Sequence, residues 1–199
     1  MIKKAGLLPY LFCASALPVN ALDLTPDGVN AGFGKSFSLN NTKPDLNAYR
    51  GSIVWDWGEP LVSFSGLQIS GYFDVALNHW KSNLGPSDVR SVGASQVKSV
   101  SFSPVFRLQS SAPHALGFFL DAGVGLSYQS EKDIQQEKTH SAVNMGGHTQ
   151  FEIRLMAGLH FGQRQQYEIA YGWYHYSNAN LHDVNEGLDF QTISLGYRF

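Results

Sequence analysis

Apolar and polar residues alternate along most of the chain, in eight segments of roughly ten to fifteen residues. Alternation with a period of two is typical of β-strands that have one apolar and one polar face. The pattern therefore predicts an all-β protein with eight antiparallel strands. The segments lie near residues 27–38, 48–57, 66–80, 96–109, 116–129, 148–162, 166–178 and 188–199.

The apolar face stays apolar and aromatic in strand after strand, whereas the opposite face carries charges of both signs. A soluble β-sandwich would explain any single strand, but the persistence of the apolar face favours a transmembrane β-barrel. Eight strands make the smallest usual barrel, and side chains fill its interior, so we expect a plugged lumen. The charged residues expected to neutralise one another there are Asp74, Arg107, Asp121, Glu152, Arg154 and Glu168.

The connections and the C-terminus agree with a barrel of the bacterial outer membrane. Connections after strands 2, 4 and 6 are short or contain proline, whereas those after strands 1, 3, 5 and 7 include long polar stretches. Outer-membrane barrels have short periplasmic turns and longer extracellular loops. Residues 193–199 alternate and end on Phe199, which resembles the assembly signal of such barrels. This arrangement predicts an outer-membrane protein with residues 175–178 at the outer end of strand 7.

The N-terminus is typical of a secretory signal. Lys3 and Lys4 precede a short apolar run, and residues 19–21 form a small-x-small cleavage site. We therefore predict a signal peptide at 1–21 and a barrel at 22–199. The one cysteine, Cys13, lies in the signal, which excludes disulfides and thiol chemistry from the mature chain. The mature chain keeps 12 basic and 16 acidic residues, a charge of −4 that argues against a nucleic-acid partner.

The segment HYSNANL, at 175–181, contains candidate catalytic residues. In a strand, residues two positions apart share a face at about 6.6 Å spacing, so His175 can reach Ser177. Both continue the apolar parity of strand 7, and Asp189 lies on the apolar parity of strand 8. A carboxylate, an imidazole and a hydroxyl that face lipid are costly unless they pair or serve a function. The structural alternative is an aromatic girdle whose ends reach the polar interface.

These residue types predict a serine esterase. Ser177 would attack an ester carbonyl, His175 would accept and return the proton, and Asp189 would orient the imidazole. Asn178 and Asn185 are nearby amide donors, either of which could help to stabilise the tetrahedral oxyanion.

HYSNANL followed by NEGLD, at 185–189, is similar to the active-site segment of the lipid A 3-O-deacylase family (PagL-like). The resemblance implies an eight-stranded outer-membrane barrel that removes the 3-linked acyl chain of lipid A without a metal or another cofactor. Its partners would be lipid A or lipopolysaccharide and the lipids of the outer membrane. It also implies that His175 is the base, Ser177 the nucleophile, Asn178 the motif asparagine and Asn185 the oxyanion residue. Further similar stretches are WDW at 55–57, SGYFDV at 70–75, SFSPVF at 101–106, DAGVG at 121–125 and FEIRLMAGL at 151–159.

Two positions depart from the family pattern. Asp189 stands where the family has Glu, and it is one methylene shorter. Asn180 stands where the family has Gly; if the backbone there is left-handed, Asn is the residue that next best tolerates it. Asp183 and Glu186 are alternative acids, although Glu186 lies on the opposite parity from Asp189.

Two other functions stay open. The outer-membrane phospholipase A family also uses His-x-Ser-Asn, so a phospholipid esterase is the nearest alternative. That family has twelve strands and binds calcium, whereas about 178 mature residues cannot supply twelve spanning strands with loops. A structural barrel without catalysis is the other alternative, and it would have no use for Ser177.

Overall fold

The structure is a computed structural model that describes residues 24–37, 45–84, 92–111, 116–136 and 142–199. The predicted signal peptide, 1–21, lies outside the described residues. The eight long strands confirm the eight predicted segments, each within two residues of its expected bounds, and three short strands are additional. The strands are β1 Gly28–Phe37, β2 Leu46–Asp56, β3 Val62–Phe64, β4 Leu67–Ser82, β5 Gln96–Ser110, β6 Leu116–Gln129, β7 Asp133–Ile134, β8 Val143–Asn144, β9 Thr149–Phe161, β10 Tyr167–Ser177 and β11 Leu188–Arg198.

The eight long strands close into an antiparallel barrel. Each pairs with the next long strand along the chain, and β1 pairs with β11 from Gly28↔Arg198 to Phe37↔Asp189. Closure leaves the long strands without an unpaired edge. The short strand β3 pairs with β4, while β7 and β8 form a separate hairpin.

In the described ranges, no helix is long and apolar enough to cross a membrane.

The outer face of the barrel is apolar and exposed. Along β6, the six outward hydrophobic side chains between Leu116 and Tyr128 are 44–59% exposed, whereas the alternating Asp121, Ser127 and Gln129 are buried. Proteins dissolved in water rarely expose contiguous apolar surface on this scale. The pattern is that of a barrel whose apolar band faces lipid.

The lumen is filled by two connected groups of buried charges. In the group nearer the long loops, Arg50 binds Asp74 at 2.7 Å and Glu152 at 3.0 Å, and Arg154 binds Asp74 at 3.1 Å. Tyr176 donates its hydroxyl to Glu152 at 2.9 Å. Buried charges are costly unless each finds partners of opposite charge and further hydrogen bonds, as these do.

The second group lies nearer the short turns. Arg107 binds Asp121 at 2.8 Å and also pairs with Glu168, which Arg198 contacts at 3.2 Å. Tyr72 donates its hydroxyl to Asp121 at 2.7 Å. The predicted mutual neutralisation of the lumen charges is therefore confirmed, and Arg50 and Arg198 are members that the sequence analysis did not identify. Between the two groups remains a space of about 20 Å³, room for about one water molecule. A wider cavity of about 280 Å³, lined in part by Tyr72, Arg107, Glu168 and Arg198, lies toward the short turns.

An apolar cluster closes the barrel at the end with the long loops. Trp80, Tyr176 and Phe190 contact one another there, with ring centroids 4.7–5.9 Å apart. The segment around the β7–β8 hairpin adds the buried side chains of Ile134 and Met145. This cluster holds the ends of β10 and β11, which carry the candidate catalytic residues, against a packed interior.

We predict that Arg50→Met lowers the free energy of unfolding by about 3–5 kcal/mol, because it leaves Glu152 buried without its arginine partner. Denaturant titration of the barrel in lipid vesicles measures this loss. Thr192→Val is the matched control, since the buried Thr192 hydroxyl has no hydrogen-bond partner among the described residues. That variant should stay within about 1 kcal/mol of the wild type. Equal effects of the two substitutions would contradict a stabilising charge network.

Candidate active site

At the end of β10 that meets the 178–187 loop, inward side chains anchor the strand and outward side chains are the candidate catalytic residues. Its inward side chains are held by the lumen: Tyr176 by Glu152, and Tyr174 by the Arg50 guanidinium, 4.9 Å from its ring centroid. Because successive strand residues point to opposite faces, these anchors also set the direction of their outward neighbours. Those neighbours are Trp173, His175 and Ser177.

His175 and Asp189 form the centre of the site. They lie directly opposite each other in the β10–β11 register, and His175 Nδ1 is 2.8 Å from Asp189 Oδ1. Since an ionised carboxylate can only accept, Nδ1 carries the proton, and in the neutral imidazole Nε2 then has the free lone pair. The side chains are 28% and 23% exposed, so the pair is partly shielded yet reachable from outside the barrel. The shorter Asp therefore reaches the imidazole.

Trp173 supports this pair, although the sequence analysis did not assign it a role. Its Nε1–H donates to Asp189 Oδ1 at 3.2 Å, and its indole stacks beside the His175 ring at a centroid distance of 5.8 Å. Both contacts restrict the orientation of the groups that they touch. The signal available in the sequence was its position, two residues before His175 on the same face.

Ser177 lies on the same outward face, two residues beyond His175 and opposite Phe151 of β9. Within the described part of the chain, no hydrogen bond joins Ser177 to His175. The structure therefore brings His175 and Asp189 into contact. It places Ser177 two residues farther along the same face, without a hydrogen bond to the imidazole. Catalytic hydrogen bonds often tighten only when substrate binds, and a serine hydroxyl can turn toward the imidazole by rotation of one torsion.

Gly187 keeps the reactive edge of His175 open. A Cβ at this position would lie 3.2 Å from His175 Cε1 and 3.7 Å from Nε2. Its φ of +62° is also a conformation that favours glycine. The motif NEGLD contains this residue, but only the folded loop reveals that it faces the imidazole.

The chain turns sharply directly after Ser177. Leu181 N donates to Asn178 O at 3.0 Å, and the central residues Ala179 and Asn180 have φ of +51° and +62°. Two positive φ values in sequence are characteristic of a type I′ turn. The left-handed backbone anticipated for Asn180, where the family has Gly, is therefore present.

The two candidate oxyanion residues hold the loop together. Asn178 is fully buried, and its Nδ2 donates to Met145 O at 2.8 Å and to Val184 O at 2.6 Å. This differs from the expectation that the Asn178 amide faces a reacting carbonyl. Asn185 accepts from Asn178 N at 3.0 Å and donates from Nδ2 to Asn180 Oδ1 at 3.2 Å, which leaves one amide hydrogen of Asn185 unused.

The alternative acids do not contact His175. Glu186 accepts a hydrogen bond from Asn144 N at 2.5 Å, so it ties the 178–187 loop to β8. Asp183 is exposed in the loop. Of the three candidate acids, Asp189 is the one that the structure places against the imidazole.

An apolar groove of about 500 Å³ begins at Trp173 and crosses the outside of the barrel. Ala122 and Ala157 line it with small side chains, which leave room between the larger ones. Its size is within the range of ligand-binding pockets. The larger side chains along it are Ile69, Phe106, Leu108, Leu120, Leu155 and Tyr171.

Comparisons with known proteins agree with these features. The model of the family described as lipid A 3-O-deacylase (PagL) matches residues 46–198. Lipid A deacylase PagL of Pseudomonas aeruginosa is 28% identical over 192 residues, which cover 96% of each chain. The crystal structure of the outer membrane enzyme PagL superimposes with a TM-score of 0.69 at 24% identity, covering 86% of this chain and 99% of that one. Neisserial surface protein A (NspA) shares the fold, with a TM-score of 0.50 at 14% identity over 86% and 95% of the two chains.

We predict that Asn178→Asp loosens the 178–187 loop without unfolding the barrel. The substitution replaces a donor to two carbonyls by a carboxylate, at a cost of about 1–3 kcal/mol. Cleavage after Glu186 by a glutamate-specific protease should become about tenfold faster or more. Asn180→Asp is the control, because its carboxylate still accepts from Asn185. An unchanged cleavage rate in Asn178→Asp would show that Asn178 does not hold the loop.

Proposed function

The chain belongs to the lipid A 3-O-deacylase (PagL) family of ester hydrolases, and we propose that it removes the 3-linked acyl chain of lipid A with Ser177, His175 and Asp189 as its catalytic triad. Lipid A, as part of lipopolysaccharide, is the substrate in this proposal. The proposal requires no metal or organic cofactor.

The barrel would lie in the outer membrane, with its long loops outside. The apolar outer face of strands such as β6 supports this location. The 178–187 loop lies at the same end of the barrel as the long connections after β4 and β6. His175 and Ser177 would then face the outer leaflet, where lipid A surrounds the barrel.

The observation that carries the proposal is the outward-facing contact between His175 and Asp189. A buried ion pair would serve packing, as the arginine and carboxylate pairs of the lumen do. An imidazole and a carboxylate on the lipid-facing side of a barrel contribute no such packing and are costly there. The same arrangement, beside a serine on one face, is the one that acyl transfer requires.

In this proposal each member of the triad has one chemical role. His175 Nε2 accepts the proton of the Ser177 hydroxyl while Oγ attacks the ester carbonyl carbon, which forms a tetrahedral oxyanion. Collapse of this intermediate breaks the bond to the sugar oxygen, which takes the proton from His175, and leaves the acyl chain on Ser177. Water, activated by His175, then attacks the acyl-enzyme and releases the fatty acid. Asp189 and Trp173 hold the imidazole orientation throughout.

Residues around the triad would bind both the carbonyl oxygen and the hydrocarbon chain of the acyl ester. The free amide hydrogen of Asn185 and the backbone N–H groups of Ala179 and Asn180, in the left-handed turn after Ser177, would be donors for an oxyanion. The groove that starts at Trp173 would receive the hydrocarbon chain, with its path over Ala122 and Ala157.

We predict that Ser177→Ala folds and inserts normally but loses about 10⁴-fold or more of its ester hydrolysis. Mass spectrometry of lipid A from a host that expresses either protein tests this. Loss of one hydroxyacyl mass should occur only with the wild type, and fragmentation should locate the loss at the 3-position. Activity retained in the variant would remove Ser177 as nucleophile. Unchanged lipid A with hydrolysed phospholipid would instead establish the phospholipid esterase, and no hydrolysis of either lipid would favour a structural barrel.

We predict that Asp189→Asn lowers kcat by about 10²–10⁴-fold, because an amide neither fixes the productive tautomer nor stabilises the imidazolium. Glu186→Gln should stay within about tenfold of the wild type, since its amide oxygen can still accept from Asn144 N. Turnover of both purified variants on lipid A compares them directly. The reverse order would assign the triad acid to Glu186.

A further inference from the structure

Two glycines in the long strands point outward, and only one of them is covered. A Cβ on Gly71 of β4 would lie 2.1 Å from ring atoms of Trp57, because that indole packs over the glycine. A Cβ on Gly51 of β2 would meet no atom within 4 Å. The chain thus fills one notch in its outer face with its own aromatic side chain and leaves the other open.

The open notch is part of a groove of about 630 Å³ across β2, β4, β5 and β6. Its apolar row follows the strand register from Gly51 to Leu77, Val100 and Tyr128. The next row toward the long loops is polar and contains His79. The remaining members of that polar row are Tyr49, Lys98 and Ser130.

Two lysines lie at the polar rim of the groove, Lys98 in its lining and Lys81 beside it. Lys98 lies opposite His79 in the β4–β5 register, and Lys81 is the next outward residue on β4. Both lysines are exposed, and among the described residues neither forms an ion pair with a carboxylate. An apolar row with ammonium groups at one end matches an amphiphile that has an acyl chain and an anionic head.

The groove is separate from the candidate active site. In the closed strand order, the centre of the groove on β4 is four strands away from β10 in either direction, whereas its edge on β6 is two strands away. Both sit toward the end with the long loops, and therefore at the same depth in the same leaflet. An acyl chain over Gly51 and Leu77 would lie on β2 and β4, three and four strands from Ser177.

We propose that this groove, floored by Gly51 and rimmed by Lys81 and Lys98, is a second and non-catalytic binding site for lipid A. The acyl chain would lie over Gly51 and Leu77, and a phosphate group would bind the two ammonium groups. The choice of lipid A among phosphate-bearing lipids rests on the proposed function, because that function places the long-loop end in the outer leaflet. The barrel would thereby hold one lipid A molecule while it hydrolyses another.

Native mass spectrometry of the folded Ser177→Ala barrel in detergent, titrated with purified lipid A, tests the proposal. We expect two lipid A molecules per barrel, one at each site. Adding Gly51→Leu should reduce the number to one, since the leucine side chain would occupy the notch, where a Cβ meets no atom within 4 Å. Adding Lys81→Gln and Lys98→Gln should raise the second dissociation constant about tenfold. Ala31→Leu, in the neighbouring strand opposite Gly51 and outside the groove lining, is the matched control and should keep both molecules.

With Ser177 intact, Gly51→Leu should keep wild-type turnover. If the deacylase proposal is wrong, lipid A from a host that expresses the wild-type protein will show no acyl loss. This readout does not depend on Gly51. The second site is overturned if Gly51→Leu leaves the lipid count unchanged, or if lipid A without phosphates binds equally well. It is also overturned if Gly51→Leu abolishes a dimer, which would make the groove an interface between copies, or if phosphatidylglycerol occupies the groove in preference to lipid A.

Discussion

The direct opposition of His175 and Asp189 across β10 and β11 is the constraint on which the proposed chemistry depends. Closure of the barrel between β1 and β11 fixes the register of every strand, including this pair. Because side chains alternate between the two faces, a slip of one residue would turn His175 into the lumen and Tyr176 toward lipid. The 2.8 Å contact between His175 and Asp189 is thus a property of the whole closed sheet.

The charged interior of the barrel holds the strand that carries the outward-facing candidate site. Tyr176 lies between His175 and Ser177 in the sequence, and its hydroxyl reaches Glu152 in the lumen network. Such a network can contribute little net stability compared with an apolar core, yet removing one member leaves a buried charge without its partner. Its contribution here is to position β10, since inward anchors on alternate residues hold the outward residues in place. The lumen network and the candidate active site are therefore built on opposite faces of β10.

Polar and small residues that look alike in the sequence have different structural roles in this protein. Their spacing along the chain does not distinguish those roles. Asn178 belongs to the family motif, but its buried amide joins the catalytic loop to the segment around Met145. Gly187 leaves room beside the imidazole, whereas Gly51 leaves a notch on the far side of the barrel. In each case the role follows from what the residue touches or fails to touch.

The sequence by itself determined the eight strands, the two faces of each strand and the shared face of His175, Ser177 and Asp189. These features are local, because a period of two repeats along the chain whatever lies on the neighbouring strand. Only the tertiary structure decided that Arg50 and Arg198 complete the lumen network, that Trp173 binds Asp189 and that Asn178 holds the loop. Those contacts join residues that are far apart in the chain, or that meet through a folded loop. They therefore depend on barrel closure and loop packing, which no spacing within a single segment encodes.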